Sequence, residues 1–203
     1  MHLVPTHDEV VSLLQETGAL RTGHFEYPNG LHSHDYLQVA LAMRYYQHAK
    51  ILSVGLSRLL RANTEIRALI PELSIVAPAT GGLPVAYGVG EALRAHQVYW
   101  SEEDAEGTMR FRQYLQQKKG EKVLLVDDIL RTGTKLRTLK KLVEDNGGEV
   151  VGLAVICYQP NPKTPSFDPL PFFYLAKLDG LYYRDAESCD LCKSGEPVEK
   201  VWV

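Results

Sequence analysis

Two adjacent aspartates, Asp127 and Asp128, follow the apolar run Val123-Leu124-Leu125-Val126 and precede Ile129-Leu130-Arg131-Thr132-Gly133-Thr134-Lys135. Four consecutive apolar residues fit a strand buried on both faces. Thr-Gly-Thr then opens a helical pattern. A helix start at the end of a parallel strand offers unpaired N–H groups and the positive end of a dipole, an arrangement suited to phosphate. Gly133 allows close backbone approach, and Thr132 and Thr134 add hydroxyl donors. Carboxylates repel phosphate, so the two aspartates suit sugar hydroxyls or a divalent cation. The segment reads as a ribose-phosphate cradle. A second junction of the same kind, Val76-Ala77-Pro78-Ala79-Thr80-Gly81-Gly82-Leu83-Pro84, lies upstream.

The elements needed to position these junctions follow from periodicity. Thr6-His7-Asp8-Glu9 is a capping-box pattern, and Val10, Leu13 and Leu14 give the following helix its apolar face. Residues 19–34 read as loop or short strands. Asp35 to about Asn63 reads as helix, broken near Ser53 to Gly55. Strands are predicted at Leu73–Ala77, Gln97–Trp100, Val123–Val126, Val150–Tyr158 and Phe172–Ala176. Helices are predicted from Gly82 to about Ala95 and along Leu136, Leu139 and Val143, ending at Gly147-Gly148. The five prolines in residues 159–171 require a loop. Alternating strands and helices predict an α/β fold: an open, mainly parallel sheet flanked by helices. Residues 1–203 are expected to form a single domain.

Composition removes several function classes. The chain has 203 residues, 45% hydrophobic, with a formal net charge of -3, so no nucleic-acid partner is expected. No apolar stretch approaches a membrane span, and the start MHLVPTHDEV lacks a secretion pattern, so no membrane partner and a cytoplasmic setting are expected. Three cysteines make no disulfide framework. Gly88-Val89-Gly90 lies inside a helical run and is no dinucleotide fingerprint, and no P-loop is present.

Residues 123–135 resemble the phosphoribosyl-diphosphate (PRPP) signature of the type I phosphoribosyltransferases. The 76–84 segment resembles the pyrophosphate loop of the orotate phosphoribosyltransferases within that family. Gly18-Ala19-Leu20, Gly23-His24-Phe25 and Gly30-Leu31-His32-Ser33 resemble their N-terminal hood, and Gly120-Glu121-Lys122 with the tail Cys189-Asp190-Leu191-Cys192-Lys193-Ser194-Gly195 fits a bacterial branch. The resemblance implies the type I phosphoribosyltransferase fold, with residues 1–35 and the C-terminal tail forming a hood over the base site. It implies that Asp127 and Asp128 are the catalytic pair and hold the ribose 2- and 3-hydroxyls. Arg131, Thr132, Gly133, Thr134 and Lys135 would wrap the 5-phosphate. Thr80, Gly81 and Gly82 would face the pyrophosphate, with a strained peptide in that loop, and Phe25 and His32 would face the base. Mg²⁺ would be held mainly through PRPP and water, consistent with its reluctance to shed waters. A homodimer is expected on the same ground.

Three departures stand out. Arg131 and Lys135 are cations where the family has Thr and Ser or Thr. Ser101-Glu102-Glu103-Asp104-Ala105-Glu106-Gly107 is acidic where the family carries pyrophosphate-binding cations, so Arg110 and Arg112, or Lys118 and Lys119, would have to replace them. The hood carries Pro28-Asn29 before Gly30, with His32, His34 and Asp35 nearby.

The resemblance thus implies transfer of a 5-phosphoribosyl group from PRPP to a nucleobase, orotate first. The altered hood leaves another base, purine or uracil, as the alternative, and the acidic segment leaves a non-catalytic PRPP- or nucleotide-binding regulator. No resident metal is expected. His24, His32 and His34 match no strong ligand spacing, and Cys189 with Cys192 is half a zinc site without a second pair in the chain. Loop thiols without metal are the expectation, a site shared across a dimer the alternative. Cys157 falls in a predicted buried strand and reads as core.

Overall fold

Every second residue of Val123-Leu124-Leu125-Val126 packs on the opposite side of the strand they form, and this layering organises the molecule. In the computed structural model, which describes residues 3–161 and 164–201, all four are 0% exposed. Leu124 and Val126 join one apolar cluster and Val123 and Leu125 another. A strand covered on both faces needs helices on both sides of its sheet.

The elements run in chain order as follows: α1 (His7–Glu16), β1 (Leu20–Glu26), β2 (His32–Leu37), α2 (Ala40–Met43), α3 (Tyr46–Ala62), α4 (Thr64–Leu69), β3 (Ser74–Pro78), α5 (Gly82–Leu93), β4 (Gln97–Glu103), β5 (Met109–Arg110), β6 (Lys122–Leu130), α6 (Thr134–Asp145), β7 (Glu149–Tyr158), β8 (Phe172–Lys177), β9 (Tyr182–Tyr183), α7 (Asp190–Lys193) and β10 (Glu199–Lys200). The main sheet has the order β5-β4-β3-β6-β7-β8. Its pairings are parallel except for the β4–β5 edge. The α/β expectation therefore holds. A second sheet, β10-β1-β2-β9, joins the N-terminal hairpin to the C-terminal tail, the segments expected to form the hood, and is termed the hood for that reason.

The order of the main sheet locates its crevice. From β3 the chain moves outward to β4, and from β6 it moves outward the other way to β7. The gap beyond the ends of β3 and β6 is therefore the topological switch point, where ligands of open α/β sheets bind.

The segment 19–34 forms strands, the second of the two readings its composition allowed: β1 and the start of β2, paired antiparallel. Most other predicted elements are present, with two differences. The predicted helix from Asp35 is delayed, because β2 continues to Leu37. The helix also does not break near Ser53 to Gly55: α3 runs through it, and the interruption lies earlier, between α2 and α3. The small residues serve packing. A Cβ on Gly55 would sit 2.5 Å from Pro5 Cδ, and one on Gly88 of α5 would sit 2.2 Å from Ser53 Oγ. Glycine and serine thus let α3 approach both the N-terminal segment and α5. Thr6 caps α1 with the full capping box. The described part of 159–171 is loop, as its prolines require; residues 162 and 163 lie outside the described residues. No helix among the described residues is long and apolar enough to cross a membrane.

Candidate active site

A cleft of about 650 Å³ opens at the switch point, lined by the β3–α5 junction on one side and the β6–α6 junction on the other. Strand β6 carries both aspartates before it ends at Leu130. Asp127 is 6% exposed. Its Oδ1 accepts the Asp128 N–H at 2.9 Å, and Asp128 Oδ1 accepts the Ile129 N–H at 2.8 Å. Each carboxylate is thereby fixed by a main-chain donor, and both line the cleft. Neither has a salt-bridge partner among the described residues. Burial, then the neighbouring Asp128 charge, holds Asp127 well above the usual carboxylate range. Burial also raises Asp128, against the opposing pull of its hydrogen bonds and of Arg131. A carboxylate pair raised in this way gains from a cation or a set of hydroxyl donors at the same place.

Glycines bring the two junctions into contact. A Cβ on Gly81 would sit 2.8 Å from Asp128 Oδ2, and one on Gly82 would sit 2.9 Å from Asp127 Oδ1. Any larger residue would displace the carboxylates. The Ala79–Thr80 peptide between β3 and α5 is cis. Helix α5 starts at Gly82 and α6 at Thr134, and neither has a side-chain cap. Within the β6–α6 turn only a long contact, Thr134 N–H to Thr132 Oγ1 at 3.4 Å, approaches a cap. Two helix N-termini with free N–H groups therefore face one cleft, about the two carboxylates, and each suits one phosphate group.

Gly133 has φ 69°, and a Cβ there would meet Pro165 Cδ at 2.9 Å. A left-handed alanine costs about 1–2 kcal/mol, and the contact adds to it. Gly133→Ala is therefore expected to weaken binding of a phosphate group at this turn by about tenfold, a loss of about 1.4 kcal/mol, with an unchanged far-ultraviolet circular dichroism spectrum. Unaltered affinity for a phosphate-bearing ligand in calorimetry would show that the turn does not hold the phosphate.

The Arg131 side chain lies away from this turn. Its Nε donates to Gln159 Oε1 at 2.9 Å and its Nη2 to the Leu37 carbonyl at 2.7 Å. The guanidinium lies 5.8 Å from the Tyr27 ring, and Tyr182 OH also donates to Gln159 Oε1, at 2.9 Å. Burial pushes the Tyr182 hydroxyl up to about 12, so it donates as a neutral phenol at working pH. Arg131 thus ties the hood to the sheet while still lining the cleft. It has no carboxylate partner among the described residues. Gln159, Tyr182 and Tyr27 were invisible as site residues in the sequence, because only the fold gathers them around Arg131. Lys135 is exposed on the first turn of α6, lines the cleft, and makes no ion pair among the described residues.

The other expected residues fall elsewhere. Arg110 Nε pairs with Asp104 Oδ2 at 2.7 Å, and Arg112 pairs with Glu102. The β4–β5 register sets Glu102 directly opposite Arg110. Glu102 and Asp104, two of the four acids of the segment, are therefore paired within their own hairpin, which lines a separate hollow. Phe25 packs in the small hood cluster with Tyr27, Tyr36 and Val201. His32 faces His24, with the ring centroids 5.2 Å apart. Neither Phe25 nor His32 lines the cleft. Cys157 is fully buried on β7, where burial raises its thiol pKa, as expected of a core cysteine.

Comparison with known proteins bears on the family and the fold. The family model of the phosphoribosyl transferase domain matches residues 59–169. The chain is 35% identical to the orotate phosphoribosyltransferase of Carboxydothermus hydrogenoformans, covering 95% of each chain. It is 31% identical to that of Thermus thermophilus, over 95% of this chain and 100% of the other. Among solved structures, orotate phosphoribosyltransferase from Aeropyrum pernix superposes with a TM-score of 0.67 at 19% identity, over 83% of this chain and 93% of that one. The Mycobacterium tuberculosis orotate phosphoribosyltransferase with inorganic phosphate gives 0.63 at 20% identity, over 85% and 95%. At these identities the superpositions speak for the fold.

Proposed function

The chain belongs to the phosphoribosyltransferase family, and we propose that it transfers the 5-phosphoribosyl group of PRPP to orotate and releases pyrophosphate. The observation that carries this reading is the pair of uncapped helix starts flanking two buried aspartates in one cleft. PRPP has the matching chemistry: a monophosphate at one end, a diphosphate at the other and two hydroxyls between.

The 5-phosphate takes the Thr132–Thr134 turn, with Lys135 in reach. The diphosphate takes the N-terminus of α5 at Thr80–Gly82. Asp127 and Asp128 accept from the ribose hydroxyls. As the C1–O bond to diphosphate breaks and a C1–N bond to the base forms, positive charge develops on the ribose. Two fixed carboxylates in a low-dielectric cleft stabilise that charge, and binding at both ends holds C1 in line with the base. The cationic Arg131 stands at the hood end without a carboxylate partner, so it supplies the charge complement of a carboxylated base such as orotate.

The residues fit Mg²⁺ that arrives with the substrate. Two carboxylates are present at the cleft, but among the described residues no third carboxylate, histidine or thiol joins them in a cage. When bound, Mg²⁺ neutralises diphosphate charge. Among the described residues the cleft is lined by no cation but Arg131 at the hood end and Lys135 at the 5-phosphate turn, which leaves the diphosphate side with none of its own. We infer that a second copy of the chain completes it, presenting Arg110 or Arg112 once either exchanges its carboxylate partner for diphosphate. The setting that goes with this activity is the cytoplasm.

The test is a base panel. Purified protein with PRPP and Mg²⁺ is expected to release pyrophosphate with orotate and not with uracil, hypoxanthine or guanine. Turnover with a purine alone would overturn the choice of base, and PRPP binding without turnover would leave a regulatory protein.

A further inference from the structure

Four potential metal ligands that the sequence holds in two unremarkable halves meet in the hood. His24 Nε2 lies 2.9 Å from His32 Nδ1 and 3.5 Å from the sulfurs of both Cys189 and Cys192. Cys192 Sγ is also 3.5 Å from His32 Nδ1. All four ligand atoms lie within 4.8 Å of one another. His24, His32 and Cys189 are buried and Cys192 is half-buried.

We propose that His24 Nε2, His32 Nδ1 and the thiolates of Cys189 and Cys192 form a closed structural zinc site that ties the C-terminal tail to the hood. Tetrahedral zinc with Zn–S of about 2.3 Å and Zn–N of about 2.0–2.1 Å requires N···S separations of about 3.5 Å and an N···N separation of about 3.3 Å. The three N···S distances match, and the N···N pair needs to open by a few tenths of an ångström. Two imidazoles with two thiolates in a tetrahedral set select zinc over hard cations. The two thiols lose their protons on binding, so a dication with two thiolates makes a neutral centre, the only charge state that is inexpensive to bury.

Local structure prepares each ligand. Strand β1 bulges between Thr22 and Phe25, which sets Gly23 and His24 against a single residue of β2, and such bulges re-aim side chains. His24 Nδ1 lies 2.9 Å from the Glu196 carbonyl. That contact places the proton on Nδ1 and leaves Nε2 with its lone pair facing the cluster, as carbonyls that accept from the outer nitrogen of a metal-bound histidine do. Cys189 is the N-cap residue of the one-turn helix α7, and Cys192 lies three residues on, so both thiols share one face.

The hood has reason to carry such a staple. Two of its four strands, β9 and β10, have two residues each, and among the described residues its own apolar cluster has four buried members, Phe25, Tyr27, Tyr36 and Val201. A core of that size holds poorly without a cross-link. The site links β1 and β2 to the segment that leads into β10, which pairs with β1 at Phe25 and Glu26. None of the four residues lines the substrate cleft, so the site is structural and its test does not depend on the reading of the activity.

The full chain, made without a histidine tag and loaded with zinc, is analysed by plasma mass spectrometry after extensive dialysis. About one zinc per chain is expected, falling below about 0.1 in a Cys189→Ser/Cys192→Ser variant. Because that variant can misfold, the wild-type protein is also loaded with cobalt(II), which is expected to show tetrahedral ligand-field bands and thiolate-to-metal charge transfer. Chelation of the wild-type metal is expected to expose two thiols to Ellman's reagent, with Cys157 staying unreactive. Wild-type protein that retains no zinc, a cobalt spectrum without thiolate charge transfer, or full zinc content in the double variant would overturn the proposal.

Discussion

Replacing Asp127 or Asp128 with asparagine is expected to lower kcat/KM for pyrophosphate release by roughly 10²-fold or more, the usual loss when a positioned electrostatic group is removed. Asparagine keeps the size and one acceptor oxygen, so the main-chain bond from Asp128 N–H to position 127 can survive. What disappears is the charge that faces the developing cation on the ribose. The effect on stability runs the opposite way. Asp127 is buried, and its pKa in the folded chain is raised. The folded state therefore holds the proton to higher pH than the unfolded state, and wild-type stability falls as pH rises from about 4, the unfolded value, through the folded one. Asp127→Asn lacks this loss. Its Tm should equal or trail that of the wild type below about pH 4 and exceed it at neutral pH. Full activity in either asparagine variant would remove the pair from the mechanism. A variant less stable than wild type at neutral pH would show that the charged pair is compensated within the fold.

The second large effect is expected at Arg131. Arg131→Met keeps much of the stem against Tyr27 but removes the donors to Gln159 and Leu37 and the cation in the cleft. Hydrogen bonds to charged groups contribute about 1.5–3 kcal/mol, so kcat/KM for orotate should fall roughly 10- to 100-fold. KM for PRPP should move much less. Buried Gln159 keeps its bond from Tyr182, which limits the structural damage. Steady-state kinetics with each substrate varied in turn separates the outcomes. A rise confined to KM for PRPP would return Arg131 to the 5-phosphate, where its place in the signature segment puts it.

That ambiguity shows where sequence reading stopped. The strand of residues 123–126, the two acids and the Thr-Gly-Thr turn were legible because their signals are local: burial on both faces, a glycine needing positive φ, and a helix start. Their meeting with Thr80–Gly82 was reachable through strand order alone. The direction of the Arg131 side chain was not, because Leu37, Gln159 and Tyr182 come from three distant segments. The acidic run at 102–104 read as a repulsive obstacle to diphosphate, but the hairpin register brings Arg110 and Arg112 back onto it. Gly55 read as a helix breaker and instead serves close packing against Pro5. The histidines and cysteines of the hood failed each on their own spacing. Only the pairing of the first hairpin with the last segment of the chain makes them one group of four.

The central claim is that one phosphorylated pentose spans two helix starts across a pair of aspartates. A crystal structure of the protein with PRPP and Mg²⁺ tests it most directly. The account predicts 5-phosphate oxygens on the main-chain N–H groups of residues 132–135, diphosphate at residues 80–82, and the ribose hydroxyls on Asp127 and Asp128. A complex with the phosphates bound elsewhere, or with both carboxylates turned from the sugar, would contradict it.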